Sequence, residues 1–214
     1  MAPFLGEKGC QVFTVPVHPS HTIEHRAGEI ERFVESHPAL SSSPLNLIAH
    51  SMGGLEARLL ARRWGPDKVR SVTTLATPHR GSFLADLLDA PPGIRSLIRW
   101  AAPGIRDLTR REMERFNEAN PDVPGIHYLS IVAEASFRTR SVPLWPFYLI
   151  LRVHSGPNDG QVSADSQEWG EVLERVASDH VQLIGMRVGV LPSGRFDHLA
   201  LYGRIVEELA RRGC

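Results

Sequence analysis

Residues 45–54 read Leu45-Asn46-Leu47-Ile48-Ala49-His50-Ser51-Met52-Gly53-Gly54, and their reading decides the fold. Residues 45–49 are a short, mostly apolar run of strand length. They lead into a small-x-Ser-x-Gly sequence, after which Leu55, Leu59 and Leu60 recur at helical spacing until Gly65-Pro66 stops the pattern. Strand, tight turn and helix are the context in which a serine is held up as a nucleophile. So tight a turn demands small residues two before and two after the serine, and Ala49 and Gly53 meet that demand. The turn would lift the Ser51 hydroxyl clear of the sheet edge. It would also set the Met52 N–H at a helix N-terminus, where it can donate to a developing oxyanion.

Outward from this stretch the chain alternates. Residues 11–17 (QVFTVPV) are β-branched and apolar and predict a strand. Residues 22–35 carry Ile23, Ala27, Ile30 and Val34 at helical spacing. Residues 69–76 (VRSVTTLA), 126–133 (IHYLSIVA) and 171–176 predict further strands, and residues 198–212 a terminal amphipathic helix. Strands separated by helices of ten or more residues imply crossover connections, hence an α/β fold with a mostly parallel sheet and helices on both faces. In such sheets ligands bind beyond the carboxyl ends of the strands.

Composition narrows the function classes. The 214 residues suit one domain, and 24 Lys+Arg against 24 Asp+Glu give no electrostatic case for nucleic acid. The longest apolar run, residues 144–151, contains Pro146 and is too short for a transmembrane segment. No basic and then apolar leader opens the chain, so no signal peptide is visible and a cytoplasmic location is the default expectation. Two cysteines, Cys10 and Cys214, form neither a disulfide scaffold nor a metal framework.

A nucleophilic serine needs a base, and the base an orienting acid, in the chain order Ser, Asp or Glu, His on this kind of sheet. Asp159, in Pro157-Asn158-Asp159-Gly160, follows the strand at 126–133. His180, in Ser178-Asp179-His180, follows the one at 171–176. Asn-Asp-Gly also forms ordinary turns, so spacing alone leaves Asp159 open. His198 is a rival base just before the terminal helix, unless Asp197 merely caps that helix and His198 lies in its first turn.

Taken together, LNLIAHSMGGLEARLLA, VTTLATPHRGS, NDGQVSADSQEWG, SDHVQLIG and the terminal FDHLALYGRIVEEL resemble the bacterial-type triacylglycerol lipases of the α/β-hydrolase superfamily. The blocks stand in the family's order and extend over nearly the whole chain. The resemblance implies an α/β-hydrolase fold and a Ser51–Asp159–His180 triad, with His180 favoured over His198. It implies hydrolysis of acylglycerol or other carboxylic esters, transient contact with a lipid interface, and no cofactor. A phospholipase or acyltransferase on the same triad is the nearest alternative, and a weakened lipid- or protein-binding relative is one from another class. The family's structural calcium site uses a carboxylate two residues after the histidine. Gln182 stands there, a poorer ligand for a hard cation, so no metal is expected. The family also carries an upstream apolar strand ending in His-Gly that gives a second oxyanion donor, and residues 1–9 offer neither. A shortened chain or reduced activity is the expectation that follows.

Residues 83–117 form a long insertion. Leu84, Leu87 and Leu88, then Ile94, Leu97, Ile98 and Trp100, are broken by Pro91-Pro92-Gly93 and Pro103-Gly104, which suits a lid over an apolar acyl pocket. Residues 142–153, rich in Leu, Trp, Phe and Tyr, would add to that wall. Residues 77–81 (TPHRG) are expected to be a structural loop held by Arg80. His18, His21 and His25 have a spacing that could suit a metal, yet nothing completes a site, and solvated histidines are expected.

Overall fold

The computed structural model describes residues 2–89, 96, 101–136, 142–186 and 196–214. Its centre is a parallel four-stranded sheet, β1 (Leu45–His50), β2 (Val69–Leu75), β3 (His127–Ala133) and β4 (Glu171–Val176), in the order β1-β2-β3-β4. β2 and β3 are the central strands, and all their residues but Arg70 and His127 are buried. A parallel strand covered on both faces reads as a near-continuous run of this kind.

Alternation along the strands sorts the core into two faces. Leu129, Ile131 and Ala133 of β3 meet Leu201, Ile205 and Leu209 of the terminal helix (His198–Arg211), joined by Leu5 from helix α1 (Ala2–Glu7). Tyr128 points the other way, with Val69 and Val72 of β2, onto Ala57 and Ala61 of α4 (Gly53–Trp64). On α4's outer side, Leu55, Leu59 and Leu60 pack against Ile23 and Ala27 of α2 (Ile23–Glu35), and Met113 joins that cluster. Thr22 caps α2 by accepting the His25 N–H, so the helical pattern starts where the side-chain oxygen satisfies its first free donors. A short helix, α3 (Pro38–Ser41), leads into β1.

The strand expected over residues 11–17 does not form. That segment has no ladder partner, although Val12 packs against the core beside Leu5 and Ile48. β-propensity reports only a local fit, whereas a ladder needs a neighbour, and Pro16 has no N–H to give one. The other four strands lie where the sequence put them, within a residue. Residues 2–7, where the resemblance called for a strand, form a helix on the far side of the sheet.

Within the insertion, α5 (Phe83–Asp89), α6 (Gly104–Asp107) and α7 (Arg110–Ala119) are helical. Residues 90–95 and 97–100, with the apolar pattern from Pro91 to Trp100, lie outside the described residues. The insertion is tied at its base. Gly104 N–H donates to the Ser20 carbonyl, Ile23 N–H to Asp107 Oδ2 at 2.8 Å, and Arg110 pairs with Asp86. Further along, α8 (Trp145–Ser155) and α9 (Ala164–Gln167) flank the loop that carries Asp159, and α10 is the terminal helix already given. Among the described residues no helix is long and apolar enough to cross a membrane.

Candidate active site

Ser51 sits directly after β1 with φ +55°, in the left-handed region that a non-glycine residue adopts only under constraint. Two bonds hold it there. Its N–H donates to the Leu75 carbonyl at 2.8 Å, and its carbonyl accepts from the Thr77 hydroxyl at 2.7 Å. The smallness demanded by this turn falls partly where the sequence did not put it. A Cβ on Gly53 would make only ordinary contact, 3.6 Å from the Ala49 Cβ. One on Gly54 would overlap the Thr77 hydroxyl and come within 2.8 Å of the Thr74 methyl. Gly54 is therefore the residue that lets α4 approach the β2 exit, and the doubled glycine was its only sequence signal.

Asp159 is fully buried in a turn that its neighbour builds. Asn158 accepts the Gly160 N–H on Oδ1 and donates through Nδ2 to the Gly156 and Tyr148 carbonyls. Asp159 Oδ1 accepts the Gln161 and Val162 N–H groups at 2.8 and 2.7 Å, which leaves Oδ2 free to turn inward. His180 follows β4. Asp179 shapes its loop by accepting the Val181 and Gln182 N–H groups, and the His180 N–H donates to the Asp159 carbonyl at 3.0 Å.

These three loops converge. His180 Nδ1 lies 2.7 Å from Asp159 Oδ2, and His180 Nε2 lies 2.9 Å from Ser51 Oγ. A carboxylate only accepts, so Nδ1 carries the proton and the Nε2 lone pair faces the serine hydroxyl. His180 is 4% exposed and Asp159 not at all, while Ser51 keeps one side open. Met52 follows at the start of α4, and among the described residues no acceptor takes its N–H. A buried carboxylate, an oriented imidazole and a reachable hydroxyl beside a free N–H suffice for general-base attack on a carbonyl.

His198 stands elsewhere. It occupies the first turn of α10, its ring packs on Gly185, and Asp197 caps the helix by accepting the Ala200 N–H. The loop at residues 77–81 is held by Arg80, whose guanidinium donates to the Asp165 and Glu168 carbonyls. The His18 ring meets His21 edge-on and His21 stacks on His25, with centroids 4.2 and 4.1 Å apart. Among the described residues no group of three or more His, Cys, Asp or Glu side chains is placed to hold a metal ion. Gln182 is buried just beyond His180.

Two neighbours of the site escaped the sequence reading. His50 donates from Nε2 to the His180 carbonyl at 2.8 Å. Glu56, in the first turn of α4, lies 2.7 Å from Arg26 of α2, yet burial outweighs that charge and pushes its carboxyl up to about 7. Arg26 also reaches the Met52 sulfur at 3.7 Å. Neither side chain belongs to a pattern that local sequence announces.

A parallel sheet with this strand–turn–helix unit defines the α/β-hydrolase class, and residues 26–102 match the family model for the alpha/beta hydrolase fold. Triacylglycerol lipase 2 of Saccharomyces cerevisiae is 30% identical over 98% of this chain and 72% of its own length. A triacylglycerol lipase of Vibrio cholerae is 26% identical over 98% of the chain and 80% of its own length. In overall fold the chain is similar to a metagenomic carboxyl esterase, at a TM-score of 0.83 and 24% identity over 99% of this chain and 69% of that one. It is likewise similar to the lipase of Staphylococcus hyicus, at 0.80 and 18% over 98% and 87%. The chain belongs to the triacylglycerol lipase family of the α/β-hydrolase superfamily, and is a carboxylic-ester hydrolase of the lipase type.

Proposed function

We propose that the protein hydrolyses acylglycerol esters through Ser51, His180 and Asp159. The observation that carries this reading is the unbroken hydrogen-bonded chain from Ser51 Oγ through the His180 ring to Asp159. Ser51 Oγ attacks the ester carbonyl while His180 Nε2 takes its proton. The tetrahedral oxyanion meets the Met52 N–H. Collapse expels the alcohol, which receives the proton from His180, and leaves an acyl-enzyme on Ser51. Water, deprotonated by His180, then releases the acid. Asp159 keeps the His180 proton on Nδ1 and stabilises the imidazolium formed in each half-reaction. Four further points support a long acyl chain. Leu87 and Leu88 of α5 and Phe147 and Leu149 of α8 are exposed. α5 and α8 pack together, Phe83 stacking on His154 at 4.5 Å. Leu144, just before α8, packs on Gly160 beside Asp159. The end of the insertion reaches the other side of the site, where Gly104 lies against the Met52 side chain. We read the described parts of the insertion, residues 83–89 and 101–117, as a cover over an apolar acyl site within a single domain. The test is hydrolysis of p-nitrophenyl butyrate and palmitate, with Ser51→Ala as the blank. Ser51-dependent turnover that favours the long ester is expected. Turnover that survives Ser51→Ala would remove the triad, and a preference for butyrate would remove the long-chain substrate.

A further inference from the structure

His50 precedes the serine in the chain, and nothing in the reaction as written uses it. Its ring is largely buried and lies 4.6 Å, centroid to centroid, from the His180 ring, tilted by 52°. Its Nε2 is 2.8 Å from the His180 carbonyl oxygen. A carbonyl only accepts, so Nε2 carries the proton and donates. We propose that His50 is a positioning residue for the base, clamping the His180 main chain to the strand end that carries the nucleophile. The proposal rests on the reading of His180 as the base.

His180 is then held at four points. Its N–H is on the Asp159 carbonyl, its carbonyl on His50, its Nδ1 on the Asp159 carboxylate and its Nε2 on Ser51. Two of those four anchors, His50 and Ser51, are consecutive residues of one rigid strand exit. A shift of β1 relative to the β4 loop therefore moves carbonyl anchor and nucleophile together, and the 2.9 Å between Oγ and Nε2 is preserved. Three of the anchors are provided by residues that touch the reacting atoms or their proton path. His50 touches neither, so it acts on the reaction only through the placing of His180.

The residue type fits the task. The charged or titratable groups facing His50 are His180 and Asp159, and its pKa is lowered to about 4, first by burial and then by the His180 charge. His50 is thus a neutral donor throughout the range in which His180 must gain and lose a proton. It adds no second cation beside the imidazolium formed in the transition state. Arg or Lys at this place would supply the hydrogen bond and oppose that charge. An aliphatic residue would supply neither.

The experiment compares wild type, His50→Gln, His50→Phe and His180→Ala on a water-soluble ester, p-nitrophenyl butyrate, and follows Ser51 labelling by a fluorophosphonate. Gln can bring an amide N–H to the place of Nε2, whereas Phe keeps the ring and loses the donor. His50→Phe is expected to lower kcat by roughly 30- to 100-fold with KM within about twofold, the scale of a catalytic group displaced by about 1 Å. Labelling should slow by the same factor, and His50→Gln should recover kcat to within about threefold of wild type. Should Phe prevent folding, His50→Asn replaces it, because its shorter amide does not reach the carbonyl and the same loss is expected. Equal activity in all His50 variants overturns the proposal. So does an equal loss in Gln and Phe, which would make ring packing rather than the donated bond the reason. His180→Ala separates the two readings. An inactive His180→Ala beside a flat His50 series defeats only the clamp, and an active one defeats the base assignment itself.

Discussion

Two histidines, His180 after β4 and His79 after β2, are buried in loops at the same end of the sheet, and they behave in opposite ways. His79 is enclosed completely. Its Nδ1 faces the Arg58 guanidinium at 3.3 Å, which only donates, so the proton must sit on Nε2, 3.1 Å from the Thr74 hydroxyl. Burial, then Arg58 and Arg80, hold its pKa well below the usual histidine range. Arg58 in turn lies 3.5 Å over the Trp169 ring and donates to Asn117 and the Asn120 carbonyl, with its own pKa lowered to about 10 by burial. His180 faces a carboxylate through Nδ1 and a half-open hydroxyl through Nε2, which is the other tautomer. Burial of an imidazole therefore says little about its task. The sign of its partner, and whether its second nitrogen meets a group that substrate can reach, decide between a locked structural donor and a base.

Breaking the His180 side should have the largest effect. Ser51→Ala is expected to lower turnover of a p-nitrophenyl ester by roughly 10⁴- to 10⁶-fold. Asp159→Asn should cost about 10⁴-fold in kcat with the fold retained, because an amide would favour the wrong His180 tautomer. Thermal unfolding of the same variant at pH 8 would check that the loss is chemical.

A pH titration of stability sharpens the contrast from the other direction. His50 and His79 bind protons less readily folded than unfolded. Stability is therefore full above the unfolded value near 6.5 and is lost as pH falls. For His50 the loss grows down to about pH 4 and reaches about 3 kcal/mol. Glu56 has the opposite sign. Its carboxyl is held near 7, so its contribution is present below about 4.5 and is lost as pH rises through 7, by a similar few kcal/mol at most. Urea unfolding of both wild type and Glu56→Gln between pH 4 and 9 should show wild type losing stability relative to Glu56→Gln between about pH 4.5 and 7. Parallel curves would mean that Glu56 titrates normally.

Smaller effects mark the structural side. Gly54→Ala should destabilise by about 1–3 kcal/mol through its overlap with Thr77 and Thr74. His79→Leu should cost a similar amount by leaving a buried Arg58 N–H without its acceptor and the Thr74 hydroxyl with only its bond to the Leu129 carbonyl, while kcat per folded molecule stays within about twofold. A tenfold fall in kcat for His79→Leu would join the two histidines into one functional network. The smallest effect belongs to His198→Ala, expected to leave kcat unchanged because the ring rests on Gly185 outside the site.

Much of this is legible in the amino-acid sequence alone. The four strands and the flanking helices could be read because burial on both faces leaves apolar runs, and because Thr22 and Asp197 are local helix-start signals. Residues 11–17 misled for the converse reason, since β-branched composition carries no information about a partner strand. Ser51 stood out because its turn imposes a local pattern of small residues. Asp159 and His180 lie 108 and 129 residues away from it, and only family resemblance tied them together.

The sequence by itself determined the order of elements, the doubled glycine of the elbow and the residue types available for acid, base and nucleophile. These depend on short-range sterics and on periodic burial. Tertiary structure decided which histidine meets Ser51, which proton each ring carries, and that His50 and Gly54 matter where Gly53 scarcely does. Those outcomes depend on atoms brought within 3 Å by the packing of β1, β2 and β4 loops, and no local pattern encodes a distance between them.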